Sequence, residues 1–150
     1  MNLSKNVKFT RVSNAVAAGT SEIDSAVISN ADYEGIVFAV AFGAIVTGSV
    51  VNVKLQQGTK SDASDMADVA GSHTTVVPAS GANTVVLTDI YQPDPTLGAY
   101  VRCVVTRTTQ NATVDCILAA QYLGKCKPSV QDATTIYGSL FLQSPALGTA

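Results

Sequence analysis

The stretch from Tyr33 to Gln57, YEGIVFAVAFGAIVTGSVVNVKLQQ, holds the longest apolar run in the chain, and the rest must be arranged around it. Side chains of an extended chain alternate faces, so Ile36, Phe38, Val40 and Phe42 share one side while Val37, Ala39 and Ala41 share the other. A strand apolar on both faces belongs mid-sheet with cover on each side, from a second sheet of the chain or from another subunit. Past Thr47, Gly48 and Ser49 a clean alternation follows, with Val51, Val53 and Leu55 opposed to Asn52, Lys54 and Gln56. That pattern predicts a half-buried strand reached through a hairpin. Gly35 to Val53 is also 19 residues without a charge, close to a membrane-spanning length. Three glycines, polar interruptions, no basic flank and a period of 2 that continues beyond Gly48 favour strands instead.

Only 13% of the 150 residues are charged, about half the usual share, and the net charge is −2. That balance lacks the basic patch needed for nucleic acid, so no nucleic-acid partner is expected. A chain this apolar suits a protein whose surface is partly covered by partners. Lys5, Lys8 and Arg11 precede no apolar leader segment, so synthesis in the cytoplasm is expected. Cys103, Cys116 and Cys126 have neither the count of a disulfide framework nor the spacing of a zinc site, and reduced thiols are expected.

Taken in order, residues 1–20 read as an N-terminal arm with one short strand around Val7 to Arg11, residues 21–123 as the core, and residues 124–150 as a C-terminal arm of one domain. Ser21–Ser29 fits a strand with Ile23, Ser25 and Val27 on one face. Gly58–Ser72 is a polar loop in which Asp62, Asp65 and Asp68 recur every third residue. Three carboxylates so close suggest a divalent-cation loop, yet the spacing is not that of an EF-hand, and a solvated loop is the preferred reading. His73, the single histidine, has no evident nucleophile or acid beside it and reads as an edge-strand polar residue. Strands follow at His73–Val77 and Thr84–Ile90, then a proline-interrupted loop at Gln92–Leu97. Tyr100–Tyr122 reads as a second hairpin pairing Val105 with Val114, Cys103 with Cys116 and Val101 with Leu118. Arg102 and Arg107 would lie close together on it, able to bind phosphate or carboxylates.

About eight short strands with turn signals between them argue for an all-β, antiparallel β-sandwich, jelly-roll-like, with terminal arms. No phosphate-binding glycine motif and no nucleophile elbow occurs, so neither an enzyme nor a cofactor is expected. Carbohydrate binding is disfavoured by the absence of Trp.

The segments DYEGIVFAVAFGAI (Asp32–Ile45), VNVKLQQG (Val51–Gly58), YVRCVVTRTTQNATVD (Tyr100–Asp115) and QYLGKCKPSV (Gln121–Val130) resemble small tailed-bacteriophage virion proteins of the jelly-roll head-decoration, or cement, type. The resemblance spans roughly Ser21 to Asp132; Leu123 departs from a commonly small position, and the tail beyond Asp132 is unmatched. It implies a protein on the capsid exterior that binds the major capsid protein and clamps neighbouring coat subunits, as a dimer or trimer, with no membrane partner. A tail, collar or fibre-base component is the alternative. Candidate contact residues are Phe9 and Val12 in the first arm, Arg102 and Arg107, and Tyr137, Leu140 and Phe141 in the tail.

Overall fold

The apolar run divides into two strands that lie in different sheets. The computed structural model describes residues 2–140, the side chain of Ala79 excepted. Its strands are β1 (Val7–Ser13), β2 (Val16–Gly19), β3 (Ile23–Asp24), β4 (Ile28–Ser29), β5 (Tyr33–Ile45), β6 (Val50–Gly58), β7 (Ala67–Asp68), β8 (Thr74–Val76), β9 (Val85–Tyr91), β10 (Tyr100–Thr108) and β11 (Ala112–Gly124). Two single-turn helices, α1 (Leu3–Asn6) and α2 (Pro78–Gly81), and a 3-10 turn at Pro95–Leu97 complete the described elements. The first sheet runs β1-β11-β5-β9, with β2 also on β11. The second runs β3-β10-β6-β7, with β4 on β10 and β8 on β6. Every pairing is antiparallel.

The all-β sandwich expected from the sequence is therefore present. Its strands number eleven rather than about eight because three of them are interrupted: β1/β2, β3/β4 and β7/β8 each trace one path in two pieces. Counted that way, the two sheets have the order of a jelly roll. Residues 1–20 contribute α1, β1 and β2, with β1 and β2 hydrogen-bonded along β11.

The core lies between the sheets. Ile36, Phe38 and Val40 from β5 and Ile117 and Ala119 from β11 meet Val51, Val53 and Leu55 from β6 and Val101, Cys103 and Val105 from β10; all are inaccessible to solvent. Alternation puts these residues on the inner faces, and burying each large side chain contributes ~1.5–3 kcal/mol.

Both expected hairpins are overturned. β5 pairs with β11 and β9, while β6 pairs with β10, β7 and β8. The turn at Val46–Ser49, with Gly48 at φ +88°, carries the chain across the core instead of back along the strand. Likewise β10 and β11 belong to opposite sheets: Val101, Cys103 and Val105 stand beside Gln57, Leu55 and Val53. Cys103 and Cys116 are therefore not cross-strand neighbours. Irregularities in the β11–β5 register between Val114 and Cys116 change the frame, so Val114, Ile117 and Ala119 face the core while Cys116, Leu118 and Ala120 turn outward.

Two buried amides tie the ends of the sandwich. Gln121 donates to Ser29 O and Asn30 Oδ1, both at 2.9 Å, and Gln57 donates to Asp94 O at 2.8 Å and to Gly98 O. Each is 3% exposed or less yet satisfied, as buried polar groups must be.

Phe38→Ala would empty the centre of this core and cost ~3–5 kcal/mol. Denaturant unfolding should show the midpoint fall with the slope unchanged; a loss under 1 kcal/mol would mean Phe38 is not central to the packing.

Candidate docking surface

The outer face of the first sheet is built from residues that alternate with the core. Cross-strand register sets them in rungs: Val7, Tyr122, Gly35 and Tyr91; then Phe9, Ala120, Val37 and Asp89; then Arg11, Leu118, Ala39 and Leu87; then Cys116, Ala41 and Val85. Four strands wide, this face holds two charged side chains across those rungs. Leu87 is 68% exposed, Val85 56% and Leu118 37%. α1 borders one corner, where Val7 is buried, and no described element covers the rest. Toward α1 the face deepens into a hollow of about 520 Å³ lined by Val7, Phe9, Val37, Ala120, Tyr122 and Leu123. Contiguous exposed apolar surface is the kind that partners cover, which makes this face the candidate docking surface.

Tyr122 shapes the hollow. Its ring fills the space that a side chain at position 35 would occupy, so Gly35 lets it lie across β5. Its hydroxyl donates to Asp89 Oδ1 at 2.7 Å, linking β11 to β9 over the intervening strand. Burial first, and then the bond to Asp89, push the phenol up to about 12.

The expected contact residues scatter. Phe9 lines the hollow, half-buried. Val12 is 5% exposed and belongs to the core: Phe9 and Arg11 face outward, so alternation along β1 turns Val12 inward, which corrects its assignment as a contact residue. Arg102 lies on the outside of the second sheet, bonded to Gln56 Oε1 at 2.7 Å and paired with Asp24 at 2.8 Å. Arg107 is 3% exposed and donates to the carbonyls of Ser21 (2.9 Å), Ala17 (3.0 Å) and Ala112. Desolvation lowers its pKa from the usual guanidinium value. The two arginines form no common face, because five positions along a strand is an odd offset. Tyr137 and Leu140 are exposed in the tail; Phe141 lies outside the described residues. The sequence reading missed Leu118, Leu87 and Val85, although the apolar second face of β5 already required cover.

The three aspartates of the polar loop serve separate local bonds. Asp65 accepts from Thr59 N at 2.9 Å and Lys60 N at 3.1 Å, Asp62 from Ser64 N at 3.0 Å, and Asp68 from Lys54 Nζ at 2.9 Å and Gln56 Nε2 at 2.7 Å. The Thr59 hydroxyl, which also donates to Asp65, and these bonds lower the pKa of all three carboxyls from the usual carboxylate value. Among the described residues no group of three or more His, Cys, Asp or Glu is placed to hold a metal ion, and no helix is long and apolar enough to cross a membrane. Cys103 sits in the core with its thiol pushed up to about 12 by burial, while Cys126 is exposed.

No protein-family model matches the chain, and no curated protein is similar to it in sequence. Among solved structures the chain is similar to one described as "Structure of infectious bursal disease virus Gt strain", with a TM-score of 0.48 and 12% identity. The match covers 81% of this chain and 33% of that one, and a likeness this loose supports no functional inference.

Tyr122 is protonated to higher pH in the folded protein than in the unfolded chain, where it ionises near 10. Its contribution to stability is fully present below pH 10 and is lost as the pH rises toward 12. Tyr122→Phe should flatten the fall in denaturation midpoint over that window; an unaltered fall would assign it to another group.

Proposed function

We propose that this protein is a bacteriophage head-decoration protein, docking by the outer face of its β1-β11-β5-β9 sheet onto the capsid exterior and bridging neighbouring major capsid subunits. The observation that carries the reading is the uncovered apolar face itself, on a sandwich whose core is already complete without it. A monomer gains nothing from Leu87, Val85 and Leu118 in water, whereas a partner that covers them gains ~25 cal/mol for each Å² removed from solvent. The kinds of protein that wear such a face are many, and the phage resemblance of Asp32–Ile45 and Tyr100–Asp115 selects among them. The role is structural and not catalytic: His73 stands exposed immediately before β8, and the Cys103 thiol is sealed in the core.

Each copy needs only modest affinity. A shell presents the same site many times, and a protein gripping two coat subunits at once binds by effective concentration. Sparse charge makes such docking weakly dependent on salt.

Purified protein mixed with expanded, undecorated heads should co-sediment saturably at hundreds of copies and raise the temperature at which heads rupture. Leu118→Arg should weaken binding about tenfold or more while leaving the far-UV spectrum unchanged. Incorporation at a dozen copies or fewer per virion, with no binding to heads, would move the protein to the tail, collar or fibre base.

A further inference from the structure

We infer that β9 is a homodimerisation edge: two copies join antiparallel along it about a two-fold axis, making one continuous sheet from the two outer-face sheets. This goes beyond the docking reading and does not require it.

The molecule protects its other sheet edges. The free side of β1 is covered by the tail, where Gln131 accepts from Phe9 N at 2.9 Å and donates to Val7 O at 2.7 Å, and Ala26 N donates to Val12 O at 2.8 Å. The second sheet ends on β3 and β4 at one side and on β7 and β8 at the other, none longer than three residues. Short and covered edges are how soluble sheets avoid pairing with one another. β9 is the exception: seven residues, VVLTDIY, without proline, lysine or bulge, and strand-bonded on one side only among the described residues.

The polarity of that free side follows from the ladder. Phe42 N donates to Thr84 O at 2.9 Å and Gln92 N to Glu34 O at 2.7 Å, so the even-numbered residues between them bond to β5. Val85, Leu87, Asp89 and Tyr91 then turn their N–H and C=O groups outward. None of these groups has a hydrogen-bond partner among the described residues.

A second copy fits that edge in one register better than in the others. Centred on Thr88, it sets Val85 beside the partner subunit's Tyr91 and Leu87 beside the partner subunit's Asp89. All four outward-facing residues are then paired, and the two Asp89 carboxylates do not face each other directly. It also sets Thr88 against the partner subunit's Thr88. Thr88, half-buried on the inner side of β9, then stands directly across from its own copy, an arrangement in which paired threonines hydrogen-bond. Centring on Leu87 leaves Tyr91 unpaired and Thr88 facing valine. Strand pairing over seven residues buries less than the ~1,200 Å² of a stable interface, so the dimer is reversible and concentration-dependent.

Sedimentation velocity over a concentration series should show a monomer–dimer equilibrium for the full chain. Leu87→Pro removes an outward N–H without touching the β5 ladder, which edge strands tolerate; it should give a monomer with an unchanged far-UV spectrum. Thr88→Cys, made with Cys126→Ser, should form an intermolecular disulfide under mild oxidation, because directly opposed non-hydrogen-bonded pairs suit disulfide geometry. Cys126→Ser alone should not. This cross-linking arm stands even if the proline variant fails to fold. A chain that stays monomeric at millimolar concentration, or a dimer that survives Leu87→Pro, overturns the inference. A dimer that binds no heads supports the inference and removes the docking reading instead.

Discussion

Everything in this molecule depends on two sheets being held face to face by one interdigitated apolar layer. β5 supplies Ile36, Phe38, Val40 and Phe42 to that layer, and the chain then crosses at Val46–Ser49 so that β6 can answer from the opposite sheet with Val51, Val53 and Leu55. The crossing spares the chain a long connection between the two halves of its own core. It also fixes which side of β5 is left over. The second face, Val37, Ala39 and Ala41, is small where neighbouring strands set larger side chains beside it.

Much of the sandwich was legible in the sequence, since alternation depends only on local geometry. It gave the long strands, the inner faces of β5, β6 and β10, and the turn at Gly48, but not the short β2 and β7. Pairing was not legible. Val101, Cys103 and Val105 match Val114, Cys116 and Leu118 across a hairpin as well as they match Val114, Ile117 and Ala119 across a core, because both arrangements satisfy apolar complementarity. Hydrogen-bonded strands stand ~4.8 Å apart and stacked sheets ~10 Å apart, a difference that no side-chain pattern encodes. The register irregularity near Cys116 compounded the error by reversing the faces of one strand. For Arg102 and Arg107 the signal was available, because an odd separation on a strand means opposite faces. Arg107 shares its parity with Val101, Cys103 and Val105, and it is buried as they are.

Buried polar groups finish what the apolar layer begins. Arg107 gathers three carbonyls from β2, from the segment after it and from the start of β11, so one side chain closes the end of the sandwich without a carboxylate. Gln121 and Gln57 do the same with neutral amides. An unpaired buried carbonyl costs ~1–3 kcal/mol, so these contacts fix the connecting loops in place and leave the outer face a stiff platform.

The contact between Gly35 and Tyr122 has a consequence for how such a chain can vary. A side chain at 35 and the Tyr122 ring cannot occupy the same space on this face. The two positions are therefore coupled: descendants that acquire bulk at 35 must swing the ring aside or shrink it, and with either change the hollow is reshaped and the hydroxyl link to Asp89 is lost. The contour offered to a partner is thereby inherited as a unit, one strand's glycine with its neighbour's tyrosine.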